Sequence, residues 1–283
     1  MRGIRFFFRS AVIILTISVV IGCTPVDNPT EAEADGLRTP AQEQHTENKN
    51  AGQADSQSNK GIYDIREVGQ VQIQDHNQIS WQEDNVSLSA VMVQPNQTGA
   101  SSVIGSIKVS NGDLAYPIDL EQAPISISSV SLSSDHQYLA MHLKYTEGHQ
   151  LVIVNMAAGD HYSLNAYLSR NGRGKVDTVQ SYQWDPKGNH LALAYGDATR
   201  SSVGLYQADQ KMLLDIPTSV IYKDTPVIVW HKEGKGFDFV STSGKDVYVL
   251  NRYVREKNLV SKVKALGGDE VAALRTLSPT YAK

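Results

Sequence analysis

The residues that could do chemistry in this 283-residue chain are scattered rather than clustered. None of its eight histidines lies in an HExxH string or in a pair at metal-ligand spacing. No GxSxG elbow, phosphate-binding GxxxxGK[ST] loop or EF-hand series occurs, so catalysis by a familiar constellation is not expected. Cys23 is the single cysteine, which allows neither an intramolecular disulfide nor a multi-cysteine zinc site. The densest local group is Ser169-Arg170-Asn171-Gly172-Arg173-Gly174-Lys175-Val176-Asp177. Its three cations (Arg170, Arg173, Lys175) and two glycines suit a carboxylate or phosphate, held by guanidinium forks and exposed amides. The same string also suits a plain solvated chain reversal. An enzyme acting on glycans would need two carboxylates about 5 to 9 Å apart, and Asp135, Asp177 and Asp197 would have to converge to supply them.

Composition narrows the classes further. Twenty-six Lys and Arg against 30 Asp and Glu give a net charge of -4, which argues against a nucleic-acid partner because that grip depends on neutralising many phosphates. With 41% hydrophobic residues the chain is long enough for a real core in one large domain. No cofactor and no metal is expected.

The elements that must position these residues begin with the N-terminus. Arg2, Arg5 and Arg9 precede an apolar stretch from Ala11 to Ile21, interrupted by Thr16 and Ser18, which reads as a signal sequence over 1–22. At about 1.5 Å per residue it is too short to cross a hydrocarbon core of about 30 Å. Val20-Ile21-Gly22-Cys23 resembles the bacterial lipobox. That resemblance implies a diacylglyceryl group on the Cys23 thiol, cleavage before it, and usually a further acyl chain on the new N-terminus. Two or three chains anchor firmly, since each buried methylene contributes about 0.8 kcal/mol. An ordinary secretory signal with a chance cysteine is the alternative. Loss of the three leader arginines leaves 23 basic against 30 acidic residues, a net charge of -7.

From Thr24 to Lys60 the only large aliphatic residues are Val26 and Leu37, among three prolines and seven carboxylates. Such a segment buries too little apolar surface to offset its ordering entropy and is expected to be a disordered tether, residues 23–60 with the lipidated cysteine included. As a flexible coil it reaches roughly 30 to 40 Å. A docking segment for a partner is the functional alternative to a spacer.

Beyond Gly61 the chain reads as short alternating runs punctuated by Asn-Gly, Gly-Asp, Pro-Lys-Gly and Ser-Gly. A frame recurs: Trp81, Asn85, Leu88; Leu132, His136, Leu139; Trp184, Gly188, Leu191; Trp230, Gly234, Phe237. The spacing predicts an inward strand ending at the first position, a tight turn with positive φ at the second, and a new strand at the third. Each copy accommodates four strands: in the first 79–81, 86–93, 103–110 and 114–120; in the second 128–133, 138–145, 151–156 and 161–165. The third holds 179–184, 190–195, 202–207 and 211–216, and the fourth 227–230, 236–241, 246–251 and 259–264. Four-stranded units at a period near 50 predict an all-β propeller for residues 61–283. A β-sandwich with evenly spaced strands is the alternative.

Trp184-Asp185-Pro186-Lys187-Gly188-Asn189-His190-Leu191-Ala192 closely resembles the repeat of TolB-like propellers, and Leu132 to Ala140 matches it in part. The layout of lipobox, polar spacer and propeller is also similar to YqgU-like lipoproteins. The resemblance implies a ligand face built from the loops leading into each blade and those joining its middle strands, so Asp197 and Arg200 would share that face with Arg170, Arg173, Lys175 and Asp177. Those families usually have six blades or so, whereas four are assignable here, or five if Ile62, Ile65, Val68, Val71 and Ile73 form a degenerate one. These residues could instead close the ring on the last blade.

Gly267-Gly268-Asp269-Glu270-Val271 looks like a diguanylate-cyclase signature, but only twelve residues follow and no βαβ pattern precedes it. A short C-terminal helix over 270–277, starting at Gly268 or Asp269, is expected instead, with acids in its first turn. The expectation as a whole is a lipid-anchored, non-enzymatic binding or scaffold module on the extracytoplasmic side of a bacterial membrane, with an envelope protein or ligand as partner. A homo-oligomer would follow if the propeller were open. A propeller-based hydrolase of an envelope glycan or peptide is the alternative.

Overall fold

Residues seven apart in the recurring frame stand directly opposite each other on adjacent antiparallel strands: Trp81 with Leu88, Leu132 with Leu139, Trp184 with Leu191, and Trp230 with Phe237. The periodicity is thus a pairing register. The computed structural model describes residues 61–66, 69–74, 77–94, 101–218, 220–242 and 247–278. The chain divides into two units, and all of these residues belong to the second, Lys49–Lys283. The signal segment, Cys23 and the tether to residue 60 lie outside the described residues.

Four antiparallel sheets follow in chain order. The first contains β1 (Gln72–Gln74), β2 (Gln78–Glu83), β3 (Val86–Val93), β4 (Val103–Asn111) and β5 (Leu114–Pro117). The second contains β6 (Ser126–Leu132), β7 (Tyr138–Tyr145), β8 (Gly148–Asn155) and β9 (His161–Ser163). The third holds β10 (Thr178–Trp184), β11 (His190–Gly196), β12 (Ser201–Gln207) and β13 (Met212–Asp215). The fourth holds β14 (Asp224–Trp230), β15 (Gly236–Thr242), β16 (Tyr248–Val254) and β17 (Leu259–Leu266). This is the all-β, propeller-type architecture of four blades, with a short C-terminal helix α2 (Gly268–Arg275) after the last strand.

Three cores join successive sheets. Trp81, Leu88 and Val109 pack with Leu132, Met141 and Val152; Leu151 and Ile153 pack with Tyr182 and Leu193; Ala194 and Leu205 pack with Trp230, Phe237 and Phe239. Sheets packed on both sides need apolar residues on both faces. The central strands β7, β11 and β15 are accordingly buried along nearly their whole length. A fourth core covers the far side of the fourth sheet with Tyr63 and Val271, flanked by Ile62, Leu274 and Leu277.

The first sheet differs. Its strands alternate, apart from a register shift at Val91/Met92 opposite β4, and Ile79, Trp81, Leu88 and Ile107 face the second sheet. The cross-strand row Ser80, Ser89 and Lys108 and the row Gln78, Val91 and Ser106 face away from it. Among the described residues no core joins the first sheet to the fourth. The leading segment 61–66 pairs with the fourth sheet. Tyr63 forms an antiparallel bridge with His231, Asp64 N donates to Trp230 O at 2.8 Å, and Lys232 N donates to Ile62 O at 2.9 Å. Ile73 lies in β1, which adds a fifth strand to the first sheet beside β2. Of the residues expected either to meet the last blade or to form a degenerate fifth blade, Ile62 packs on the fourth sheet and Val71 and Ile73 belong with the first, Ile65 is exposed, and Val68 lies outside the described residues.

Two local expectations are corrected. The fourth strand of the second blade stops at Ser163, and helix α1 (Leu164–Arg170) replaces the strand expected to reach Asn165. Ser163 caps it by accepting from Ala166 N, and Leu164 and Leu168, four apart, are buried on one face. Positive φ occurs at His136 (56°) and Gly234 (67°) as expected, but the first frame places it at Asp84 (51°) rather than Asn85, and Gly188 lacks it. In the first blade strand pairing continues to Glu83 and Val86, which leaves a two-residue turn and moves the left-handed position one residue back.

Candidate functional site

The loop end of the blades gathers the cations singled out by type. Asp177 N donates to Gly196 O at 2.8 Å, which brings the 170–177 loop beside the β11–β12 loop carrying Asp197 and Arg200. Each charge there is met locally. Arg173 Nη1 donates to both oxygens of Asp215 in β13, at 2.6 and 2.8 Å. Lys175 lies 3.0 Å from Asp177, and Arg200 Nη2 lies 3.1 Å from Asp197. Asp197 also accepts from Thr199 N, Thr199 Oγ1 and Arg200 N, and these bonds hold its carboxyl well below the usual range. Arg170 turns back to the carbonyl of Ala166 in its own helix. The loop is therefore a set of closed ion pairs more than a cradle of free donors.

Asp135 lies elsewhere. It follows β6 and accepts from Ser133 Oγ at 2.6 Å and from Gln137 N at 3.1 Å, within its own turn. Asp177 precedes β10, the corresponding strand of the next blade, so the two acids sit at opposite ends of strands of seven residues. At about 3.3 Å per residue that is a separation of roughly 23 Å, and Asp135, Asp177 and Asp197 do not converge.

The turn end of the blades carries a denser network that the sequence reading passed over. Asp185, with its side chain 4% exposed, accepts from Arg255 Nη1 of the fourth sheet at 3.0 Å and from Lys187 N at 2.9 Å. Arg255 Nη2 lies 3.0 Å from His190 Nε2, which must then be the unprotonated acceptor nitrogen; burial and this guanidinium both push the His190 pKa down. Arg66, from the leading segment, bonds Ser134 Oγ and the main-chain carbonyl of Asp185, and pairs with Asp64 at 3.1 Å. Burial pushes the carboxyls of Asp64 and Glu83 up, and Glu83 Oε2 is buried without a hydrogen-bond donor.

A second network occupies the far side of the fourth sheet. Asp238, 1% exposed, accepts from Arg252 Nε and Nη2 at 2.8 and 2.9 Å, from His231 Nε2 at 2.9 Å and from Tyr63 Oη at 2.8 Å. Four charged or polar bonds offset the burial of this carboxylate, and its pKa is lowered despite desolvation. An acid inside the apolar run Gly236-Phe237-Asp238-Phe239-Val240 was the available signal, because buried carboxylates require partners. Among the described residues no three of His, Cys, Asp and Glu are placed to hold a metal ion.

The repeat residues do structural work between blades. Trp81 Nε1 donates to Gly69 O at 2.7 Å, Trp184 Nε1 to Ser131 O at 3.2 Å, and Trp230 Nε1 to Gln183 O at 2.8 Å. In the last two the acceptor immediately precedes the frame residue of the preceding blade, Leu132 or Trp184. Gly69 takes that position ahead of the first blade. Leu132 has no indole, and the first-to-second junction lacks this bond. Among the described residues no helix is long and apolar enough to cross a membrane.

No protein-family model matches the chain, and no curated protein matches it. Solved structures do. A TolB-type protein from Agrobacterium tumefaciens shares 11% identity at a TM-score of 0.38, over 68% of this chain and 78% of that one. TolB from Acinetobacter baumannii shares 10% at 0.36, over 70% and 52%. An acylaminoacyl peptidase from Pyrococcus horikoshii shares 7% at 0.41, over 72% and 34%. The chain thus spans about half of the second protein's length and a third of the third's. At these scores the likeness carries nothing about what this chain binds or does.

Proposed function

We propose that this chain is a membrane-anchored, non-enzymatic propeller module of the bacterial envelope that binds a protein or ligand outside the cytoplasmic membrane. One observation carries the binding part: Arg173, Lys175 and Arg200 at the loop end are paired with Asp215, Asp177 and Asp197, while the first sheet leaves a broad face, with Lys108 as the one charge among its described strand positions and no described element packed on it. A hydrolase of the glycosidase kind needs a carboxylate pair with one member protonated, whereas Asp135 lies at the opposite end of the blades from Asp177, and Asp197 is held ionised by its bonds from Thr199 and Arg200. The anchor rests on Val20-Ile21-Gly22-Cys23 and the polar tether behind it.

In-cell cross-linking of the full chain followed by its recovery tests the binding reading. A specific envelope protein or ligand retained over an unrelated lipoprotein control is expected, and recovery of nothing beyond that control removes the reading. Cys23→Ser is expected to abolish fatty-acid labelling, and undiminished labelling removes the anchor.

A further inference from the structure

The outer face of the first sheet is sparsely charged along its described strands. Its strand positions include Ser80, Ser87, Ser89, Ser106 and Ser110, brought side by side by the register of β2, β3 and β4. Gln72, Gln74, Gln78 and Gln82 extend it along β1 and β2. Lys108 is its only charge, and no carboxylate occupies an outward strand position. Val91 and Val93, 42% and 44% exposed, lie toward its loop end. A solvated face on a chain that is 20% charged would carry acids and bases of both signs. Depletion of charge is one mark of an interface core, although serine too is depleted there.

From this face we infer that the chain self-associates, two copies meeting first sheet to first sheet about a two-fold axis. The inference rests on the binding-module reading and names one partner of that module. Serine and glutamine side chains both donate and accept, so the face complements a copy of itself, which is what an isologous contact requires. On a chain of net charge -4 it is also where two copies approach with least repulsion. Association that completes a ring by joining the first sheet of one copy to the fourth of another is blocked, because α2, Ile62 and Tyr63 already cover that surface. Five strands spaced about 4.8 Å apart and some six residues long project to roughly 400 Å² per copy. That is about half the 800 Å² that each side of a standard interface buries, which places the dimer in the weak, transient class.

Sedimentation equilibrium of the full chain carrying Cys23→Ser, which removes the sole thiol and the proposed acyl site, tests this up to millimolar concentration. A reversible dimer is expected. Ser89→Glu and Ser89→Arg, each with an unchanged circular-dichroism spectrum, should each weaken it about tenfold. An equimolar mixture of the two should restore association, because the faces then carry opposite charges. Val91→Glu repeats the test at a second position. A chain that stays monomeric throughout, or a dimer indifferent to both positions, overturns the inference. So does a monomeric chain that captures a different protein through Val91. Capture of an envelope protein that survives Ser89→Glu leaves the binding module standing while removing this contact.

Discussion

Arg255, in the last turn of the fourth sheet, donates to the carboxylate of Asp185 on the third across 70 residues of sequence, at 3.0 Å. The bond ties two blades at the end where the leading segment also arrives, since Arg66 reaches the main-chain carbonyl of the same aspartate. Arg255→Met leaves that carboxylate buried with Lys187 N as its remaining strong donor. Its side chain is 35% exposed, so the loss is smaller than for a fully buried pair, about 2 kcal/mol. A double-mutant cycle with Asp185→Asn, read by urea denaturation, should give a coupling of about 1 kcal/mol or more.

His142 links the second and third blades by donating from Nε2 to Val179 O at 2.8 Å, and its ring stacks on His149 with centroids 5.0 Å apart. Nδ1 is buried without a partner, and burial pushes the pKa from 6.5 to about 4. His149 is likewise lowered, by burial and by Lys144. For a depressed histidine the unfolded chain binds the proton first. Stability is therefore full above about pH 6.5 and declines as pH falls toward 4, by about 3 kcal/mol from His142. Melting temperatures between pH 7 and 4 should fall steeply in the native chain and less so in His142→Gln, which keeps a donor for Val179 but does not titrate.

Gly188 and Gly234 occupy the same place in the repeat and should respond oppositely to a methyl group. Gly234 has φ of +67°, and a Cβ there would sit 2.9 Å from Asp185 Oδ1. Gly188 has ordinary φ and open space. Gly234→Ala should cost about 1 to 2 kcal/mol, and Gly188→Ala should stay within about 0.5 kcal/mol of the native chain in the same denaturation experiment.

Trp230→Phe keeps most of the apolar contact and removes the indole bond to Gln183 O, a tie across the buried junction between β14 and β10, while the carbonyl keeps its place opposite Ala192 in the β10–β11 ladder. A loss of about 1 to 2 kcal/mol is expected. Hydrogen exchange should quicken in β10 and β14 and remain unchanged in the first sheet, which Trp230 does not touch.

Tyr63→Phe removes one of the bonds to Asp238 and should loosen the leading segment from the fourth sheet. Limited proteolysis is the sensitive measurement. Cleavage near residues 61–66 should appear in the variant before any loss of far-ultraviolet dichroism.

The amino-acid sequence by itself determined whatever depends on near neighbours. The frame Trp184, Gly188, Leu191 is a hairpin register, and residues seven apart across a turn must pair wherever the chain reverses there. The same holds for the exposed face of the first sheet. Val86-Ser87-Leu88-Ser89-Ala90 alternates as a strand with one wet side must, whereas Leu191-Ala192-Leu193-Ala194-Tyr195 runs apolar because it is covered twice. The capped helix after Ser163 was read as strand, although the serine and the two leucines four apart carry its local signal.

Only the tertiary structure decided which charges meet. Asp185 and Arg255, Tyr63 and Asp238, and Arg173 and Asp215 lie 70, 175 and 42 positions apart. Their pairing follows from the order in which sheets stack, and no local spacing encodes it. For the same reason Arg173, promising when read in a row with its neighbours, finds its carboxylate on β13, beyond its own loop. Which sheet ends the series is likewise a matter of stacking, because the helix and tyrosine that cover the fourth sheet come from opposite ends of the described chain.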